Sequence, residues 1–329
     1  MISISRRKIM AYSVIAAAVS VVALPAVAQT AATPATTKIV MPLPAGGGVD
    51  VFARKMAEVM AKNMGANVIV DNKPGASGLI AVQNVLSSPA DGSTLLYLHS
   101  GILMAQAITG RIDILRDFKP VAKASSSAHL LMVPASSPYK SAAELIKAMM
   151  DNPGKHNFGS GGNGSPTHVM FEQMDEKTPG GLKATHIPFK GAAEGVVALM
   201  SGSIDFIFAP PGSVMEQMKA GKLRALATSG KTRMLQLPNL PTMSESGLAN
   251  YQEEPWGGFV VSAKTPDEQV VRLAAVIKTT MADPEVAGFV QRVGGKVESS
   301  ATPAEFAAQI KDEIAVDKAM VVKLGLKPE

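Results

Sequence analysis

Two glycine-rich stretches carry the residues that could do chemistry. The first is Gly46-Gly47-Gly48, followed closely by Asp50; the second runs Gly159-Ser160-Gly161-Gly162-Asn163-Gly164-Ser165-Pro166-Thr167. Glycine puts no Cβ between a ligand and the main chain, and the first amides of a following helix have no intrahelical partner. An anion placed there collects hydrogen bonds and meets the positive end of the helix dipole. The other reading of each stretch is a tight strand-to-helix turn. Asp50 can cap the helix or hold a water or a ligand donor, but its charge would repel a bare phosphate. The phosphate-loop ending Gly-Lys-Ser/Thr is missing, and Val51 stands where a dinucleotide fingerprint needs glycine.

Both stretches need a strand before them and a helix after them. Ile39-Val40-Met41 has the content of a buried strand, and Phe52, Met56, Val59 and Met60 line one helix face that Gly65 can end. Asn157-Phe158 lead into the second loop, and Phe171 and Met174 face inward on the helix that follows. Ser165 is suited to cap that helix, with Pro166 at its first position. Further strands are expected at 67–70, 94–98, 129–134, 184–188, 204–208, 223–227 and 256–261, with helices over 77–86, 141–150 and 167 onward, and others ending at Ser201 and Ala220. Such alternation predicts parallel sheets covered on both faces, with ligands beyond the carboxyl ends of the strands. The Gly46 loop and His99-Ser100-Gly101 then share one edge. The Ser100 hydroxyl is a ligand contact or a turn residue; Lys190 pairs with an acidic ligand or, as an exposed lysine, is only solvated. Thr265-Pro266-Asp267-Glu268 and Thr302-Pro303-Ala304-Glu305 both have the form of capping boxes.

Arg6-Arg7-Lys8, an apolar run from Ile9 to Val27 and the small pair Ala26 and Ala28 form an export signal cleaved after Ala28. Ser5-Arg6-Arg7 partly matches a twin-arginine signal. Residues 29–37 read as a linker. The chain carries +5, and the signal holds three basic residues and no acid, so the mature part keeps +2. No basic stripe supports nucleic-acid binding. The absence of cysteine excludes disulfides and thiol chemistry, and the five histidines show no metal-site spacing. The length suggests two domains, here 38–128 plus 256–329, and 129–255, with hinges near 129–133 and 256–261.

Seven segments in order, Met41–Asp50, Val70–Gly78, Pro89–Leu95, Phe158–Gly164, His186–Gly191, Ala220–Thr228 and Leu240–Met243, resemble the periplasmic solute-binding proteins of tripartite tricarboxylate transporters, the Bug or TctC-like proteins. The resemblance implies an α/β fold of two domains, type II-like, each a mainly parallel sheet flanked by helices, with the ligand between them and no reaction performed. It implies a small organic acid held by main-chain amides and hydroxyls, membrane transporter components or a sensor kinase as partners, a monomeric state, and no cofactor. Carried over residue by residue, Gly46, Gly47 and Asp50 face Ser160, Gly161, Gly162, Asn163 and Thr167. Pro44, Ala45, His99, Ser100, Lys190, Gly191 and Ala209 complete the expected ligand-binding set; none is catalytic and none binds metal. Ala209 departs from the acidic or amide residue of many relatives and makes that end of the pocket more apolar. A competing class, an exported hydrolase, would use Ser165 or Ser100 with His168 and Asp205, although no Gly-x-Ser-x-Gly elbow is present.

Overall fold

The computed structural model describes residues 36–46 and 48–327; the expected export signal, most of the linker and Gly47 lie outside them. The chain forms two mixed sheets. In the first lie β1 (Thr36–Met41), β2 (Asn67–Asn72), β3 (Thr94–His99), β4 (Phe118–Ser126), β10 (Trp256–Ser262) and β11 (Lys296–Val297), in the order β11-β4-β10-β3-β1-β2. In the second lie β5 (Leu130–Pro134), β6 (His156–Ser160), β7 (Ala184–Pro188), β8 (Phe206–Ala209) and β9 (Leu223–Thr228), in the order β7-β6-β8-β5-β9.

The expected parallel units are present: β1 runs parallel to β2 and β3, and β6 parallel to β7 and β8. The antiparallel pairings belong to strands next to the two chain crossings. β10 is antiparallel to β3 and β4, and β5 to β8 and β9. β1 starts at Thr36, inside the expected linker, because Thr36 and Thr37 continue the register against Asn67 and Val68. The nine-residue β4 is absent from the sequence reading: Lys119, Pro120 and Lys123 break its apolar pattern.

Each sheet is covered on both faces. α1 (Gly48–Met64) packs with α9 (Asp267–Ala282) and α10 (Pro284–Arg292) over one face of the first sheet, where Met56, Met60, Leu273 and Ile277 share a cluster. α2 (Leu79–Leu86), α3 (Ser100–Thr109), the short α4 (Ile114–Asp117) and α11 (Pro303–Leu324) cover the other. The C-terminal helices therefore return to the first sheet. The second sheet lies between α5 (Ala142–Asp151) and α6 (Pro166–Lys177) on one side and α7 (Ala192–Met200) and α8 (Pro211–Lys219) on the other. Near the start of β10 a Cβ on Gly257 would collide with Tyr97 and one on Gly258 with Phe306. Only glycine lets both rings lie against that strand.

The two capping boxes part ways. Thr302 accepts the Glu305 amide at 3.1 Å, and Glu305 returns a bond to the Ala301 amide at 2.6 Å. Thr265 makes no such cap: α9 starts after Pro266, with no side-chain bond at its N-cap, and Thr265 is buried. Its carbonyl instead accepts Lys119 Nζ at 2.8 Å.

Candidate functional site

The loop between β1 and α1 is fastened by Asp50, in the first helical turn and only 2% exposed. Asp50 Oδ2 accepts the Gly46 amide and Arg54 Nε, both at 2.9 Å, and Oδ1 accepts Asn72 Nδ2 at 2.9 Å. Asn72 Nδ2 also donates to the Leu43 carbonyl at 3.0 Å, so the end of β2 holds the loop too. Burial works against the Asp50 charge. Hydrogen bonds from Arg54, Gly46 and Asn72 outweigh it and hold the carboxyl below its ordinary value. Both carboxylate oxygens are thus spent on the loop, and Pro44, Ala45 and Gly46 are left exposed on that sheet edge.

His99 ends β3 and caps α3 by accepting the Gly101 amide at Nδ1, 3.1 Å away. Burial pushes its pKa down to about 4 and keeps the ring neutral, as an acceptor must be. Ser100 lines a separate cavity beside Trp256 and α11.

The second glycine loop is closed by its own side chains. Thr167 Oγ1 accepts the Gly161 amide at 2.9 Å, Ser160 Oγ the Gly162 amide at 3.0 Å, and His168 Nδ1 the Gly164 amide at 3.1 Å. The Ser165 amide donates to the Gly162 carbonyl at 3.1 Å, and the Ser165 hydroxyl caps α6. Gly161 and Gly162 therefore do not offer free amides in this conformation. Among the described residues neither the amide nor the side chain of Asn163 has a partner, and Asn163 faces open space. Behind the loop the His168 and His186 rings stack at 3.9 Å, and His186 Nε2 lies 2.6 Å from Ser160 Oγ. Burial, then the neighbouring His186, push His168 down to about 4, and burial lowers His186. Two neutral rings support the loop.

That open space is a cavity of about 870 Å³. On one side stand Gly161, Gly162, Asn163 and Lys190, all four from the expected set; on the other stand Ala76, Ser77 and the end of α3 with Arg111. The chain is left-handed through four successive residues there, with φ of +117°, +46°, +52° and +92° at Gly75, Ala76, Ser77 and Gly78. The two non-glycine positions cost about 1–3 kcal/mol each, strain that concentrates at ligand clamps and switches. Gly78 cannot be replaced cheaply: a Cβ would sit 2.8 Å from Ile102 Cγ1. Among the described lining residues Arg111, Lys190 and Lys327 stand against one acid, Glu194, whose carboxylate accepts the Lys190 amide at 3.2 Å. The balance of charge favours an anion.

Some expected residues stay apart from this cavity. Ala209 is fully buried in the apolar cluster around Leu130 and Met132, and Gly191 caps α7. The hydrolase constellation is not assembled, since Ser165 caps a helix, His168 accepts from Gly164, and Asp205 accepts the Asn157 amide at 2.7 Å. Among the described residues no group of three carboxylates or imidazoles is placed to hold a metal ion. Ser77 and Arg111 lie outside the expected set: the Gly75-Ala-Ser-Gly78 run has the form of a turn and helix start, and nothing local marks Arg111.

The family model described as tripartite tricarboxylate transporter family receptor matches residues 52–326. A UPF0065 protein from the gbd 5′ region of Cupriavidus necator is 32% identical over 315 residues, covering 94% of this chain and 94% of its own. Among solved structures, an R. palustris protein with adipate is 26% identical at a TM-score of 0.79, with 91% of this chain and all of that one covered. MatC from Rhodopseudomonas palustris, with bound malate, is 25% identical at a TM-score of 0.74, covering 88% of this chain and all of its own.

Proposed function

The chain belongs to the tripartite tricarboxylate transporter family receptors, and we propose that it is a periplasmic receptor that captures a small organic carboxylate between two lobes and presents it to membrane transporter components. The lobes are residues 38–128 with 256–329, and 129–255, and the signal is removed after Ala28. The ligand is held, not transformed.

One observation carries this reading: Asn163 and Lys190, from the second sheet's loops, share a cavity with Ser77 and Arg111 of the first, and the surrounding charge is positive. The carboxylate enters this cleft. Asn163 and the Ser77 hydroxyl donate to it, with Arg111 and Lys190 supplying attraction at the rim. Asp50, Ser160 and Thr167 act behind them by fixing the two glycine loops. Closure of the lobes about the crossings brings the Gly46 loop toward Asn163, so that a bound acid contacts both sheets. The similar proteins solved with adipate and malate support the carboxylate class.

A thermal-shift screen of the protein, refolded after denaturation to strip carried-over ligand, tests this against mono-, di- and tricarboxylates, amino acids and aromatic acids. At a hundred times Kd a ligand adds about 2.7 kcal/mol of stability, a clear upward shift for at least one carboxylate. A folded, stripped protein that responds to none of them refutes the reading.

A further inference from the structure

We infer that the cavity between α3, α6, α11 and the crossing at 253–256 is a second ligand site, built for a small organic ammonium ion. This goes beyond the carboxylate cleft and does not depend on it. The cavity measures about 480 Å³, within the range of about 300–1,000 Å³ typical of small-molecule sites. It meets the cleft only across α3 and the second glycine loop: Ser100, Gly101, Met104 and Gly164 face this cavity, whereas Ala105, Ile108, Thr109 and Asn163 face the other.

Its polar lining is acidic. Glu176, Glu253, Glu254, Asp312, Glu313 and Asp317 contribute six carboxyl groups, and Lys177 is the one ammonium among the described lining residues. Acid clusters alone mean little, but Asp317 adds a separate observation: it is 6% exposed, and its Oδ2 has no hydrogen-bond partner. A buried carboxyl oxygen left without a donor calls for an explanation. Neighbours do not supply one. Glu313 already accepts the Trp256 indole N–H, and Glu254 accepts the Lys231 amide at 3.1 Å. Burial, then the charges of Glu313 and Glu253, push Asp317 up to about 8; burial and Glu313 push Glu253 up to about 7. The cations near the group are Lys323 on α11, 3.6 Å from Glu176, Lys177 on α6 and Lys123 on β4, three against six carboxyls. The pocket is therefore short of positive charge and of donors.

The walls decide the kind of cation. The described residues offer no three-ligand metal cluster, and a hydrated metal ion gains nothing from Met104, Met170, Val316 and Met320. An alkylammonium does: its carbon body lies on these side chains, its head faces the carboxyls, and the Trp256 ring adds a cation–π surface. Binding ionises Asp317 and releases its proton to solvent, so affinity rises with pH.

Calorimetric titration with n-butylammonium and 1,4-diaminobutane tests the site at about pH 8.5 and about pH 5.5, either side of the buried acids' titration. Saturable one-to-one binding is expected at the higher pH, at least tenfold weaker at the lower pH and in Asp317→Asn. Val316→Arg, at a half-exposed position on the cavity mouth, is expected to abolish binding without disturbing a buried group. No saturable heat for either amine, unchanged affinity in Asp317→Asn and Val316→Arg, or saturable binding of magnesium in place of the amines overturns the inference.

Discussion

Replacing Asp50 by asparagine keeps the side chain's shape and removes its charge and one acceptor. Three donors converge on Asp50, each at 2.9 Å: the Gly46 amide, Arg54 Nε and Asn72 Nδ2. An asparagine can accept at one atom only, and its own NH2 then points at a donor. A hydrogen bond to a charged group contributes about 1.5–3 kcal/mol. The Arg54 side chain is 51% exposed, so water recovers part of its loss, and the net cost is about 2 kcal/mol. For a domain of about 150–250 residues this lowers Tm by roughly 4–8 °C. Differential scanning calorimetry measures it. The pH profile gives a second readout. Because the folded pKa is depressed, Asp50's contribution is complete above the unfolded value of about 4 and is lost as pH falls through the lower folded value. Asp50→Asn should lack that acid limb and bind the carboxylate several-fold more weakly, since the Gly46 loop is released. An unchanged Tm together with an unchanged acid limb would refute the fastening role.

Thr167→Val removes the acceptor of the Gly161 amide; a cost of about 1–2 kcal/mol and weaker carboxylate binding should appear in thermal melts and calorimetry. Gly78→Ala forces a Cβ against Ile102 at φ +92° and is expected to cost at least about 1–3 kcal/mol, read as a lower Tm. His99, His129 and His168 stay neutral in the fold, with pKa pushed down by burial to about 4. Their stabilisation is complete above the unfolded value of about 6.5 and is lost as pH falls toward 4; melts across that window should show declining Tm, less so in His168→Gln. Asp317 titrates in the opposite sense: its raised pKa favours the fold below the unfolded value of about 4, and the advantage is lost as pH rises through about 8. Asp317→Asn should therefore be more stable than wild type at pH 8, as chemical denaturation would show.

The parallel units were legible because each is local: a short strand, a glycine-bearing loop, then a helix with an apolar face. Ser165, Pro166 and Thr302 announced their helix starts correctly for the same reason. β4 and α3 were not legible. β4 exists because β10 and β11 flank it, a long-range pairing that Lys119, Pro120 and Lys123 conceal. The glycine loops were found as candidate anion sites, but spacing could not tell that Thr167, Ser160 and His168 would occupy their amides. That depends on side chains folding back over the loop. Arg111 belongs to the cleft only through the placement of α3 against the second glycine loop, where a Cβ on Gly164 would sit 3.0 Å from Ile108 Cδ1 and 3.1 Å from Met104 Cγ.

The central claim is that a carboxylate binds in the cleft beside Asn163. Calorimetric titration of the carboxylate giving the largest thermal shift, into wild type and Asn163→Ala, tests it most directly. Among the described residues the exposed Asn163 has no hydrogen-bond partner, so the variant should melt as wild type does, yet bind at least tenfold more weakly, about 1.4 kcal/mol. Equal affinity in the two proteins would contradict the claim and place the carboxylate elsewhere.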